Sequence, residues 1–398
     1  MSTAVLTHRL ELGSVANGAL KAAARFWFGV TVIGQLVFAF ALASFYGLAA
    51  ARGDFHGWSK FITHGYVPGD RMGNSAVMMH IASAVVIMLS GAVQLVPAVR
   101  DRFPVFHRWN GRIYMLTAVM LSVAGLYMTW IRGSVGDTTL HLSSTLNAVL
   151  IWLCGGMALR YALARDFSTH RRWALRFFLV TSASWFFRLM IFLYFLVLGS
   201  VSLDSTTLAS PVFTYMSFAQ FLLPLAVLEV YLRAKEHGGV LPRLATAGGL
   251  FLLTLAMGVG IFAVSKAIWV PDVKAGFDPR KSIAETLSAT VASSGIDQAV
   301  IQYQQLKASG TTSYNFDEDE LNGLGYQLIQ TKKFKEAIRI FQLNVEAYPK
   351  SSNVYDSLGE GYMDDGDKAL AVANYQRSLE LNPKNHNAVK MLQKLNAP

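Results

Sequence analysis

The stretch His107–Ile131, HRWNGRIYMLTAVMLSVAGLYMTWI, opens on histidine, arginine and tryptophan and then turns apolar to its end. A helix of about 20 apolar residues matches the hydrocarbon thickness of a bilayer, and a cationic, aromatic flank suits the membrane interface. Read as a membrane span, this stretch sets the class of everything around it. Six further runs follow the same rule: Phe26–Ala50, Ser75–Val99, Leu140–Leu163, Trp173–Leu198, Val212–Leu232 and Leu244–Trp269. Together they predict an all-α fold, a seven-span transmembrane bundle.

Composition agrees. Of 398 residues, 53% are hydrophobic and 15% charged, the balance of an integral membrane protein. Charge is uneven: Met1–Lys274 holds 22 Lys and Arg against 10 Asp and Glu, and Ala275–Pro398 holds 13 against 15. The basic residues of the apolar part cluster in the N-terminal tail, Arg100–Arg112, Arg160–Arg176 and Arg233–Arg243, on alternate sides of the bilayer. The positive-inside rule accounts for them without a nucleic-acid partner. It predicts a bacterial inner-membrane protein with a cytoplasmic tail over 1–25, a transmembrane domain over 26–270, a linker over 271–281 and an extracytoplasmic domain over 282–398. The first run reads as a signal anchor, with no cleavable signal peptide before it. The single cysteine, Cys154, lies in an apolar run, so neither a disulfide nor a thiol metal site is expected. His56 and His64, in the outer loop Ala51–Asn74, read as polar surface.

Past Ser282 the pattern changes. Leu324, Gly325, Ala337, Phe341 and Pro349 recur 34 residues later as Leu358, Gly359, Ala371, Tyr375 and Pro383. This period and pattern are the tetratricopeptide repeat signature, in which small residues let paired helices pack closely. A divergent helical pair, Ser282–Ala308, is expected before the two repeats and a closing helix, Asn387–Leu395, after them. The array is a short α-solenoid suited to a protein or peptide partner, or equally to a rigid cap.

Four histidines take positions on the spans. His80 lies inside the outer end of the second span and His141 opens the fourth from the same side; His107 and His170 open the third and fifth from the cytoplasmic side. The intervals His80–His107 and His141–His170 are 27 and 29 residues, so the second hairpin repeats the first. Two pairs result, one near each membrane face. A b-type haem takes two axial histidines from facing helices, and two stacked haems make an electron path across a bilayer. All four histidines are therefore candidate haem-iron ligands, and the unit a candidate electron carrier or oxidoreductase.

Small residues share the histidine faces, among them Gly91 near His80, Gly155 near His141, and Gly111 and Gly125 near His107. They suit a porphyrin, and they suit close helix packing equally. On a straight fifth span Arg188 shares the face of His170 and reaches the layer of His80 and His141. An arginine inside a span needs an interior partner, such as a haem propionate, a quinone oxygen or a bound anion. Backbone carbonyls are the other way to satisfy it. Arg108 and Arg172, beside His107 and His170, are candidates for propionate neutralisation.

The element FHRWNGR (Phe106–Arg112) resembles a family of bacterial multi-pass membrane proteins known as a domain of unknown function. The likeness covers most of Gly29–Leu232 and rests on His80, His107, Arg108, Trp109, Gly111, Arg112, His170 and Arg172. The histidine spacing is also similar to that of the cytochrome b561 group, which implies haems shared between spans two and four and between three and five. Here His107, His141 and His170 sit at span ends, unlike that group. The tail is similar to repeat modules fused to diverse bacterial hydrolases and membrane proteins. Two other functions remain open on the sequence: a membrane scaffold or sensor presenting the repeats, and a transporter or small-molecule site centred on Arg188.

Overall fold

The computed structural model describes residues 3–53, 55, 58, 62, 65–67, 69–133, 138–198, 211–278 and 280–395, which divide into two units, Met1–Phe277 and Asp278–Pro398. His56 and His64 lie outside the described residues.

The first unit opens with helix α1 (Thr3–Leu42), 40 residues long. The expected tail over 1–25 is therefore helical from Thr3 and continuous with the first span. Its alanine-rich run favours helix, and Ala16, Leu20 and Ala23 recur on one face. All three are buried, Leu20 and Ala23 in a cluster with Ala234, Ala247 and Leu250. A π-turn, Ala43–Gly47, carries the chain into α2 (Leu48–Arg52), which ends at Gly53 with φ +72°.

Helix α3 (Arg71–Leu95) is capped by Asp70, whose carboxylate accepts from the Gly73 N–H at 2.8 Å. Short α4 (Pro97–Arg102) and long α5 (Pro104–Trp130) each begin on proline, whose missing N–H is no loss in a first turn. Helix α6 (Thr138–Leu163) follows, then α7 (Phe167–Thr181), α8 (Ala183–Leu198), α9 (Pro211–His237) and α10 (Val240–Val264). Hydrogen bonds from Thr169 and Ser168 to Asp166, the N-cap of α7, hold its carboxyl down at about 2. A second π-turn, Ser265–Trp269, leads into α11 (Val270–Phe277), so much of the expected linker over 271–281 is helical.

Among the described residues, 6 helices are long and apolar enough to cross a membrane, and the bent pair α7–α8 makes up to 7. Helix α3 packs along α5, α5 along α6 and α6 along α7, and α7 touches α3. These four close a ring, with α3 and α6 on one diagonal and α5 and α7 on the other.

The second unit is a stack of helical hairpins. A two-residue parallel pair, β1 (Lys281–Ser282) with β2 (Tyr314–Asn315), is its one departure from all-α among the described residues. Helices α12 (Ile283–Ser294) and α13 (Ile296–Ala308) form the first hairpin. Next come α14 (Glu318–Gln330) with α15 (Phe334–Ala347), and α16 (Ser352–Asp365) with α17 (Lys368–Leu381), before the closing α18 (His386–Leu395).

The 34-residue period reappears as repeated contacts. Gly325 lies against Phe341 as Gly359 lies against Tyr375, and Ala337 and Ala371 are both fully buried. Asn344 donates to the Glu318 carbonyl at 3.0 Å, and Ser378 to the Ser352 carbonyl at 2.8 Å. Met391, Leu392 and Leu395 of α18 cover Tyr375, so the last apolar face of the stack is closed.

One carboxylate between repeats gives this unit a pH signature. Tyr326 donates to Glu360, and burial pushes the Glu360 carboxyl above its usual range despite that bond. A folded-state pKa above the unfolded one contributes stability that is present below the unfolded value and lost as pH rises through the folded one. We expect Glu360→Gln, which still accepts from Tyr326, to weaken the gain in thermal stability of this unit between pH 7 and pH 5. An unchanged pH profile in that variant would show that Glu360 is not its source.

Candidate functional site

His80, on α3, reaches α5: its Nδ1 lies 3.2 Å from the Leu121 main-chain oxygen. A carbonyl only accepts, so Nδ1 carries the proton and Nε2 keeps its lone pair. Gly125, one turn beyond, lies beside the ring, where a Cβ would make ordinary contact at 3.4 Å. His170, on α7, repeats the arrangement against α6, with Nδ1 2.8 Å from the Ala158 oxygen.

The other two histidines keep a buried nitrogen with no partner. For His107 it is Nδ1. Asn110 donates to Gln94 Oε1 at 2.8 Å, which turns the Gln94 amide nitrogen towards His107 Nε2 at a long 3.4 Å. For His141 it is Nε2. That ring meets Trp130 edge-on at 5.3 Å, and Trp130 donates to Thr145 at 2.9 Å.

His80 and His141 lie towards one end of the ring and His107 and His170 towards the other, but His80 meets α5 at Leu121 and Gly125 whereas His141 meets it at Trp130, about 8 to 13 Å further along. Leu121, beside His80, is 14 residues along α5 from His107, and Ala158, beside His170, is 17 along α6 from His141. At 1.5 Å per residue these separations are about 21 and 26 Å, most of a hydrocarbon core. His107 and His170 lie within electrostatic reach of each other, as do His80 and Arg188.

The fifth span corrects the straight-helix reading: α7 and α8 meet at Ser182 with a 53° bend. Thr181 turns its hydroxyl back on the Phe177 and Phe178 carbonyls at 2.9 and 3.0 Å, a competition with the helical ladder that bends helices. Ser182 accepts from Gln35 Nε2 of α1 at 2.9 Å. Gln35 is fully buried, and its Oε1 has no partner. Beyond the bend, Arg188 Nη1 donates to the Ser184 carbonyl at 2.8 Å and also to the Ser184 hydroxyl, while its guanidinium lies 5.1 Å above Phe38. Tyr46, in the first π-turn, is within electrostatic reach of the same guanidinium. Gln35 is a buried amide inside an apolar run, a signal in the sequence of the same kind as Arg188.

At the basic end of the ring, Arg172 is committed elsewhere than expected. Its Nη2 pairs with Glu236 of α9 at 2.7 Å, and neighbouring Arg176 pairs with Glu229 at 2.6 Å. Helix α9 packs on α7 and carries both carboxylates on the facing side, so they capture these arginines. Arg108 is exposed at the start of α5.

The glycines set aside for a flat ring are filled by neighbours. A Cβ at Gly91 would stand 2.9 Å from Tyr114, one at Gly111 2.8 Å from Gln94, and one at Gly155 3.1 Å from Phe177. Close helix packing is thus their role. Tyr114 bonds to the Thr181 hydroxyl and meets Phe177 edge-on at 5.1 Å, filling the middle of the ring. Cys154 is buried in the same cluster. A macrocycle is excluded from that middle. No three His, Cys, Asp or Glu side chains among the described residues converge on a metal site; axial haem ligation asks for two histidines only.

Residues 77–223 match the family described as Predicted membrane protein (DUF2306). The match takes in all four histidines and Arg188, and it leaves α1, α10 and the second unit outside. No curated protein and no solved structure matches the chain. Several apolar helices of spanning length and this match together make the chain an integral membrane protein.

Proposed function

We propose that the first unit is a transmembrane electron-transfer domain that holds b-type haem, His80 and His141 serving one layer and His107 and His170 the other. One observation carries the reading: each of the four histidines has a ring nitrogen with no good protein partner. At His107 and His141 that nitrogen is buried, where polar atoms are rarely left so. Haem held between two imidazoles supplies a one-electron couple. The Leu121 and Ala158 carbonyls fix two of the rings with Nε2 free, the outer-shell bond that orients metal-binding histidines. Arg188 provides a positive charge at the His80 layer, and Arg108 provides one at the other. Tyr114, Phe177 and Phe178 keep water from the space between.

The test is a reduced-minus-oxidised visible spectrum, with haem quantified, on protein purified in mild detergent after growth with ample haem. Sharp six-coordinate bands at one or two haems per chain support the proposal, and a colourless preparation rejects it. Arg188→Ala removes a cation beside His80 and is expected to lower the midpoint potential of one redox component, measured by spectroelectrochemical titration.

A second reading, a small-anion site, is favoured by the bend at Ser182 with its unpartnered Gln35 oxygen, since broken spans line binding cavities in transporters. In that case Arg188→Ala abolishes ligand-dependent thermal stabilisation and leaves any pigment unchanged.

We read the second unit as a tetratricopeptide module that binds a protein or peptide, on the strength of its 34-residue contact repeat. By the positive-inside rule the span ends carrying Arg100–Arg112 and Arg160–Arg176 face the cytoplasm of a bacterial inner membrane, with the module outside. A colourless membrane unit together with a module that captures a specific partner would instead make the protein a scaffold or sensor.

A further inference from the structure

Helices α9 and α10 form a hairpin closed by Gly238 and Gly239, and along its side runs an apolar groove of about 390 Å³. Ala226, Val230 and Tyr231 wall it on α9; Ala245, Gly249 and Leu253 wall it on α10. Most of these residues are exposed, so the groove opens sideways, at hydrocarbon depth. From Ala245 to Leu253 it runs about 12 Å along the helix, close to the depth of one leaflet.

Its end nearest the hairpin turn is cationic. Lys235 stands one turn beyond Tyr231, with Nζ 5.9 Å from that ring. Arg233 stands three residues beyond Val230, and Arg243 three before Thr246, each on the face of a wall residue. Arg243 is braced by its Nε on the Ala234 carbonyl at 3.3 Å. The two nearby carboxylates, Glu229 and Glu236, are already held by Arg176 and Arg172. Among the described residues, three cations are therefore left without a carboxylate beside an apolar slot one leaflet deep.

We propose that this groove holds an acyl chain of an anionic phospholipid, whose headgroup is gripped by Arg233, Lys235 and Arg243. The occupant follows from charge complementarity: a second copy's helix would fill the slot without neutralising the cations, whereas a phospholipid does both. Each basic residue near a headgroup favours an anionic lipid severalfold.

The experiment uses the full chain in mild detergent, with native mass spectrometry and thermal unfolding in the presence of added phosphatidylglycerol or phosphatidylcholine. We expect phosphatidylglycerol to be retained about tenfold better and to raise the unfolding midpoint. The triple variant Arg233→Gln, Lys235→Gln, Arg243→Gln should lose the preference. Gly249→Leu should lose the retained lipid altogether while unfolding normally without lipid, because a Cβ at Gly249 meets nothing within 4 Å and its side chain enters the groove. Equal retention of the two lipids, or a preference that survives both variants, overturns the proposal. So does a dimer that Gly249→Leu converts to monomer while lipid retention stays unchanged, which would seat a second copy in the groove.

Discussion

His80→Ala is expected to halve the haem recovered per chain and to remove one of two redox components, leaving the other unshifted. The expectation rests on position. His80 is held by the Leu121 carbonyl on α5 with its Nε2 unshared, and the His107–His170 layer lies about 21 Å away along α5, far enough to stand without it. His170→Ala should remove the complementary component, and the double variant should be colourless. Identical spectra for parent and His80→Ala would reject the ligand assignment, whatever the other histidines do. Loss of all pigment in the single variant, with the protein still folded, would mean that the layers are not independent.

Gly325→Val should unfold the central repeats of the second unit. A Cβ at this position would stand 2.2 Å from the Phe341 ring, which is itself fully buried with nowhere to retreat. Overpacking a core by one methylene costs about 1 to 3 kcal/mol, and valine adds more than one, so a loss of at least about 3 kcal/mol is expected. Gly359→Ala, the equivalent position 34 residues on, is milder because its Cβ would stand 3.0 Å from Tyr375. Hydrogen exchange on the full chain reads both: protection across 318–347 should collapse in the first variant and fall only modestly in the second. Equal protection in the two would show that the Phe341 contact is not the tight one.

The contrast between Gly325 and Gly359 marks the boundary between what was legible and what was not. Their letters and spacing announce a repeat, yet nothing in the sequence says that one glycine is pressed harder than the other. That depends on whether a phenylalanine or a tyrosine faces it and on how that ring is turned. Gly91, Gly111 and Gly155 teach the same lesson, since room for a cofactor and room for a neighbouring side chain write the same residue. Arg172 stands two residues from His170 in the chain, which by itself puts it beside the histidines. On the helix it meets α9, and Glu236 takes it. On a straight span the spacing from His170 carries Arg188 to the depth of His80. It lies within reach of His80 although the span is bent, and part of its hydrogen-bonding is met locally by Ser184.

The sequence by itself determined that this chain is helical and membrane-embedded, where its spans fall, and that its tail repeats every 34 residues. Those properties follow from apolar run length, charge placement and period, which are local and additive along the chain. Only the tertiary structure decided that the N-terminal segment joins the first span and that the fifth span breaks at Ser182. It also decided that four helices close a ring with aromatic rings at its centre, and that two histidines are tied to carbonyls of neighbouring helices. Each of these depends on which side chains from distant segments compete for the same space or the same hydrogen bond, a contest that no single segment encodes.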